Sequence, residues 1–360
     1  MAGPSDVDGA GTLVDDVPAA PSAGRPRSAR RRRALLIGVP LLVLAIVAAA
    51  VFALTRSDPA PVADPPPGPV LPWTSGAAVD GVVDEFAAWR GSQVEISATW
   101  VDADPSLQTS LPQLKDGEEF GDWDRDLDIG IGAIGEGESW AEAAEGAYDN
   151  RWRRSLTNLE RDWEGRSGTL YIRFAHEMNG NWYPWKVTAE DRDDFVTAWQ
   201  RFRALQQEVF PESQLVFCLS RESVDSGIDW RETFPGAEYV DVLGVDYYNQ
   251  YPYVDTAEEF DEAATETDEW GGPKGILGYQ DFAREQGLPL AVPEWNGNAG
   301  EGDAPAFIWS MYAFFAREGG TGPGDLLYEI VFAIPGYDGD FDLYPDTQMP
   351  ESAEQYQQLW

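Results

Sequence analysis

From residue 73 onward the chain alternates short apolar runs with longer amphipathic stretches. Trp73–Ala77, Val94–Trp100, Leu127–Ile134, Leu170–Ala175, Leu215–Leu219, Val242–Asp246, Leu290–Pro293 and Glu329–Ile334 read as strands. They are apolar, rich in β-branched and aromatic residues and too short for helices. Between them, Ser139–Trp163, Glu190–Phe210, Asp281–Gly287 and Pro305–Glu318 repeat apolar residues at helical spacing. Strands interleaved with helices over residues 71–360 predict a (β/α)8 barrel in both size and order. A doubly wound open sheet is the other architecture the pattern allows.

Ahead of this domain the character of the chain changes twice. Residues 1–29, rich in Ala, Gly, Pro, Ser and Asp, read as a disordered tail. Residues 30–54 then join Arg30-Arg-Arg-Arg33 to an uncharged apolar run, Ala34 to Leu54. At about 1.5 Å per residue that run suits the roughly 30 Å hydrocarbon layer. The arginines orient it with the tail in the cytoplasm and the large domain outside, a single-pass cell-membrane protein. A cleaved signal peptide, giving a secreted protein, is the alternative. Residues 55–70, dominated by proline, form an extended linker.

Composition narrows the chemistry. With 43% hydrophobic residues and 15 Trp, the chain can bury a large single core. Its 25 Lys+Arg against 63 Asp+Glu, a formal charge of −38, argue against nucleic acid, anionic lipid and anionic polysaccharide as partners and point to a neutral substrate. A monomer is expected. The single cysteine, Cys218, excludes an intrachain disulfide and sits in an apolar run as a buried strand residue. The single histidine, His176, excludes a three-histidine zinc site. The alternating acids Asp122-Trp-Asp124-Arg-Asp126-Leu-Asp128 and Asp338-Gly-Asp340-Phe-Asp342 lack the Gly and Glu positions of an EF-hand loop and read as solvated loop acids. Neither cofactor nor metal is expected.

What remains is carboxylate chemistry at the strand ends, where a barrel keeps its active site. The fourth strand ends in His176-Glu177-Met-Asn179, the sixth in Asp246-Tyr247-Tyr248-Asn249 and the seventh in Pro293-Glu294-Trp295-Asn296. In a closed barrel the fourth and seventh ends face each other, which opposes Glu177 and Glu294. Glycoside cleavage needs one protonated and one ionised carboxyl. Trp182, Tyr183 and Trp185 crowd Glu177 and favour its neutral form, Arg173, pointing to the same mouth and expected to contact substrate, would keep Glu294 charged, and Tyr248 is placed to orient it. Aromatic faces at Trp182, Trp185 and Trp295 suit sugar rings.

The segment Arg173-Phe-Ala-His176-Glu177-Met-Asn-Gly-Asn-Trp182-Tyr-Pro-Trp185 resembles the acid/base signature of glycoside hydrolase family 26, mostly β-mannanases on (β/α)8 barrels. The likeness runs from about Trp73 to Trp360 and includes Gly146-Ala-Tyr-Asp149, Val242-Leu-Gly-Val-Asp-Tyr-Tyr-Asn249, Val292-Pro-Glu-Trp295 and the stretch from Pro350. The resemblance implies a retaining endo-β-glycanase acting on β-1,4-mannan, with Glu177 as acid/base and Glu294 as nucleophile. It also implies that His176 and Trp182 contact substrate and that Tyr248 touches the nucleophile. Mixed-linkage β-1,3-1,4-glucan and β-1,3-xylan are the family's other substrates. Two departures bear on the sugar: Phe332 and Tyr337 stand near the eighth strand end in place of the family's tryptophan, and the fifth strand ends in Ser220-Arg221-Glu222. The rival reading is a non-catalytic cell-envelope glycan-binding barrel, and a third is an inverting hydrolase.

Overall fold

The computed structural model describes residues 71–101, 104–334 and 341–360. The tail, the apolar segment at 30–54, the linker at 55–70 and the acids Asp338 and Asp340 lie outside the described residues. Among the described residues no helix is long and apolar enough to cross a membrane.

Eight strands close into a parallel barrel in sequence order, which sets aside the open sheet: β1 (Thr74–Ala78), β2 (Ile96–Val101), β3 (Asp126–Ile131), β4 (Leu170–Phe174), β5 (Gln214–Ser220), β6 (Val242–Asn249), β7 (Leu290–Gly297) and β8 (Leu326–Phe332). Each expected strand is present. β8 closes on β1 in unbroken register from Thr74↔Tyr328 to Ala78↔Phe332.

Around the barrel run α1 (Val83–Arg90), α2 (Leu107–Ser110), α3 (Trp140–Ala144), α4 (Asp149–Trp163), α5 (Arg192–Val209), α6 (Ala257–Ala263), α7 (Ile276–Gln286), α8 (Pro305–Glu318) and α9 (Pro350–Leu359). The helix expected over Ser139–Trp163 is two helices. Gly146, at φ +88°, turns the chain, and the space a side chain would fill there is taken by Arg201 of α5, which pairs with Asp149 at 2.5 Å. The pattern at Asp281–Gly287 marks only the last part of α7. Its first turn holds Gly278, a poor helix former pressed against Pro273, so propensity alone hides it. Between β5 and β6 the crossover is made of two 3-10 turns, Trp230–Thr233 and Ala237–Tyr239.

Strand residues alternate between two layers, as a pleated backbone requires. Ile96, Ala98, Tyr171, Val216, Cys218, Val242, Ala291, Tyr328 and Ile330 fill the barrel interior. Leu127, Ile129, Leu170, Ile172, Leu243, Leu290 and Val292 face outward against the helices. One strand breaks this alternation. In β7 the outward residues are Leu290, Val292 and then Trp295, and the pairing slips by one residue against both neighbours, between Gly244 and Tyr247 of β6 and between Val292 and Trp295 of β7. β7 therefore carries a bulge at Pro293-Glu294. Strict alternation would send Glu294 into the helix layer, and the extra residue turns it into the barrel mouth. Proline, with no N–H to give to the ladder, suits that position.

Candidate active site

At the C-terminal ends of the strands lies a cleft of about 790 Å³ lined by Trp100, His176, Glu177, Trp182, Tyr183, Trp185, Ser220, Tyr248, Gln250, Tyr251, Glu294, Asn298, Phe332 and Phe341, among others. Both strand-end glutamates thus reach one cavity.

Glu177 arrives by a tight turn. Ala175 and Glu177 both take positive φ, +54° and +53°, a left-handed conformation that non-glycine residues adopt at a cost. Two backbone bonds hold it: Ala175 N–H to Ile131 O at 2.9 Å and Glu177 N–H to Cys218 O at 3.0 Å. Asn179 ties the turn to β5, donating to Ser220 O at 2.8 Å and accepting from Ser220 N–H at 2.9 Å. The Glu177 carboxyl accepts the indole N–H of Trp182 at 2.8 Å. Burial, then the nearby Glu294 charge, pushes its pKa up to about 8, while the Trp182 N–H and the Arg173 charge pull the other way.

Glu294 has the opposite surroundings. Its Oε1 accepts from Arg173 Nη1 at 2.6 Å and Trp100 Nε1 at 2.7 Å, and its Oε2 from the Tyr248 hydroxyl at 2.8 Å. Three donors from β4, β2 and β6 hold one carboxyl in a single orientation.

Arg173 itself is fully buried beneath the cleft and does not line it, so the expectation that it contacts substrate is corrected to a place in the floor. It also bonds Asp128 at 2.5 Å and Asp246 at 3.1 Å. Burial opposes the Arg173 charge, but Asp128, Asp246 and Glu294 together outweigh it and keep the guanidinium protonated. Asp246 is driven well above the carboxylate range by burial and the Glu294 charge. Asp128, read from the sequence as a solvated loop acid, is buried in this network and accepts the Tyr328 hydroxyl at 2.7 Å. Its inward-facing place on β3 puts it there. Asp124 and Asp126 accept backbone N–H bonds from Ser167 and Thr169, both at 2.6 Å. Among the described residues no group of three or more His, Cys, Asp or Glu could hold a metal ion.

His176 lies on the cleft wall with neither ring nitrogen bonded within the protein, and burial followed by the Arg173 charge keeps it neutral. Gly130 makes its room: a Cβ there would come within 2.8 Å of Trp100 and 3.1 Å of the imidazole. Trp185 lines the cleft, stacked on Tyr183 at 4.3 Å, with its N–H given to His176 O. Trp182 is 45% exposed at the rim. Trp295 is the misplaced expectation. The period of two that follows Glu294 turns it outward onto Phe315, Tyr356 and Trp360, with its N–H on Glu329 at 2.6 Å.

Residues that sequence reasoning missed are Trp100, Asp246, Tyr251, Phe332 and Phe341 as site members. Trp100 ends an expected strand, so the strand-end criterion used for Glu177 and Glu294 also finds it. Phe332, at the end of β8, packs edge-on to Trp100 and Tyr248. Phe341 reaches the cleft from beyond β8, and no local signal marks it.

Comparison with known proteins follows the same lines. Residues 164–305, which include both glutamates, match the model of Glycosyl hydrolase family 26. The chain is 28% identical over 102 residues to Endoglucanase H of Acetivibrio thermocellus, covering 26% of this chain and 11% of that protein. It is 23% identical over 222 residues to a mannan endo-1,4-beta-mannosidase of Bifidobacterium adolescentis, covering 59% of this chain and 19% of that one. The chain therefore spans less than a fifth of either relative's length. In three dimensions it superposes on the catalytic domain of a Bacillus sp. JAMB-750 endo-beta-1,4-mannanase with a TM-score of 0.55 at 13% identity, over 79% of this chain and 85% of the other, a likeness of fold. The segment 164–305, with the two strand-end glutamates and the bulge that aims the second, is the part of the chain that is similar to glycosyl hydrolase family 26.

Proposed function

We propose that the protein is a glycoside hydrolase, a retaining endo-β-glycanase acting on β-1,4-mannan-type polysaccharide, with Glu177 as acid/base and Glu294 as nucleophile. The observation that carries this is two glutamates in one cleft with opposed environments. One is crowded and holds its proton to about pH 8, and the other faces a buried guanidinium. In the first step a Glu294 carboxylate oxygen attacks the anomeric carbon as the C–O bond to the leaving sugar breaks, and the Glu177 proton passes to that leaving oxygen. In the second, Glu177 takes a proton from water, whose oxygen attacks the same carbon and releases Glu294. Trp182 and Tyr183 supply faces for sugar C–H groups, Trp185 is buried behind Tyr183 and backs it rather than touching the sugar, and neutral His176 offers one donor and one acceptor to hydroxyls.

A second substrate, mixed-linkage β-1,3-1,4-glucan, is favoured by the similarity to an endoglucanase; β-1,3-xylan completes the panel to be assayed. A binding-only barrel has no use for the opposed carboxyls. Glu177→Gln and Glu294→Gln should each lower hydrolysis by several orders of magnitude while the barrel stays folded by circular dichroism. Proton NMR of the first product should show the β-anomer. Near wild-type turnover by either variant would sink the assignment, and an α-anomer would make the enzyme inverting.

For residues 30–54 the proposal remains a membrane anchor, supported by Arg30–Arg33 and the uncharged run that follows. Sequencing the mature N-terminus from the source cell tests it, since a start near residue 55 means cleavage.

A further inference from the structure

The two oxygens of Glu294 are not equivalent. Oε1 accepts from Arg173 Nη1 at 2.6 Å and from Trp100 Nε1 at 2.7 Å, whereas among the described residues Oε2 accepts only from the Tyr248 hydroxyl at 2.8 Å. Arg173 is fully buried beneath the cleft, so Oε1 is turned to the floor and Oε2 to the cavity that both glutamates line. Both lone pairs of Oε1 are engaged, and Oε2 keeps one free for a carbon.

Trp100 is built into this contact. It stands in one inward-facing row with Gly130 of β3 and Arg173 of β4, since Trp100 pairs with Gly130 and Gly130 with Arg173. A Cβ at position 130 would come within 2.8 Å of the Trp100 ring, so the glycine supplies the space that the indole uses. The Gln113 amide donates to Trp100 O at 3.1 Å, the Phe332 ring packs edge-on at 5.5 Å between centres, and the Arg173 guanidinium lies 5.6 Å from the indole. Several elements thus fix where one neutral N–H points.

Resting on the reading of Glu294 as nucleophile, we propose that Trp100 is a positioning residue for the second half of the reaction. Its N–H marks Oε1 as the spectator oxygen, leaves Oε2 to bond the anomeric carbon, and helps the carboxylate depart when water cleaves the glycosyl ester. In the first step the carboxylate gives up charge as the Oε2–carbon bond forms, and a donor on Oε1 favours the ground state over the transition state. In the second, that bond breaks and its electron pair returns to the carboxylate, while the water oxygen bonds the anomeric carbon and the water proton passes to Glu177. Charge now grows on Oε1, and a fixed donor there stabilises the transition state more than the ester. Trp100 therefore acts on departure and not on attack.

The test separates the two steps. Wild type, Trp100→Phe and a protein carrying β-(3-benzothienyl)alanine at position 100, which keeps the indole shape with sulfur in place of the N–H, are assayed on 2,4-dinitrophenyl β-mannobioside and β-cellobioside. The activated leaving group makes attack fast and departure limiting. Both variants should lose about 10–100-fold in kcat, with KM lowered in step, so that kcat/KM, which reports attack, changes by no more than about threefold. A burst of dinitrophenolate should precede their steady state. The 2-deoxy-2-fluoro analogues should leave a glycosyl adduct on Glu294, read by peptide mass spectrometry, that decays more slowly in both variants than in wild type. Wild-type kinetics in the benzothienyl protein would overturn the proposal, because packing would then be all that Trp100 supplies, and so would equal losses in kcat and kcat/KM. No adduct on Glu294 from either analogue would overturn the nucleophile reading itself, and this proposal with it.

Discussion

Glu177 holds its proton to about pH 8 because it is desolvated and faces Glu294, and this has two measurable consequences. The acid step requires the protonated form, so kcat/KM should fall as pH rises through about 8. The Trp182 N–H lowers that pKa, so Trp182→Phe, which removes the bond and keeps a ring, should move the basic limb to higher pH. Movement to lower pH would show that Trp182 acts chiefly by crowding the carboxyl. Stability follows the same group. A carboxyl whose folded pKa lies above its unfolded value stabilises the fold fully below about 4.5, and that contribution is lost as pH climbs to about 8. Glu177→Gln should therefore flatten this part of the Tm against pH curve. The residue types that set this chemistry, Glu177 with its following aromatics, stand together in thirteen consecutive residues and are visible in one dimension. Arg173 was visible too, but its burial and its three carboxylate partners come from β3, β6 and β7, which sequence spacing does not bring together.

At the level of the element, the decisive feature is the bulge in β7. With every residue present and no bulge, Glu294 and Trp295 would exchange layers, and the mouth would hold an indole where it now holds a carboxyl. Deleting Pro293 removes the extra residue, and the two-residue period then leads from outward Val292 to inward Glu294 without a bulge, so the carboxyl should stay in the mouth and activity should fall far less than in Glu294→Gln while far-UV circular dichroism stays barrel-like. Pro293→Ala keeps the residue count and should retain activity within about tenfold. A deletion variant as inactive as Glu294→Gln would show that inward or outward facing along β7 is not what the extra residue sets. The strand itself was legible as an apolar run between turn formers, whereas the bulge was not. Nothing in Val292-Pro-Glu-Trp295 says which of two adjacent residues faces inward, and both were assigned to the mouth. The same limit explains α3 and α4, where the apolar period runs on across Gly146 although the backbone turns there to admit Arg201.

Across the whole molecule, β1, β7, β8 and the stretch after α9 meet at one buried carboxylate. Glu329 accepts from Ser75 at 2.6 Å, Trp295 at 2.6 Å, Trp360 at 3.0 Å and Trp73 at 3.4 Å. Trp360 also stacks on Tyr356 at 4.5 Å. Trp360→Ala removes a buried indole and one donor to a desolvated acid, and should cost roughly 3–5 kcal/mol of stability, read from urea unfolding, while folded protein keeps normal kcat/KM. A change below about 1 kcal/mol would mean that neighbouring rings close the gap. By itself the sequence determined the order of strands and helices, because hydrophobic period is a local property, and it named Glu177, His176 and Trp182, because one strand end carries them all. The tertiary structure alone decided that Trp100 joins Arg173 and Tyr248 on Glu294, that Asp128 and Asp246 pair with Arg173 beneath it, that Trp295 turns away, and that Tyr251 divides two cavities. Those outcomes depend on barrel closure and strand register, which bring residues from distant parts of the chain within hydrogen-bond reach, and a one-residue shift in register inverts which side chain faces the cleft.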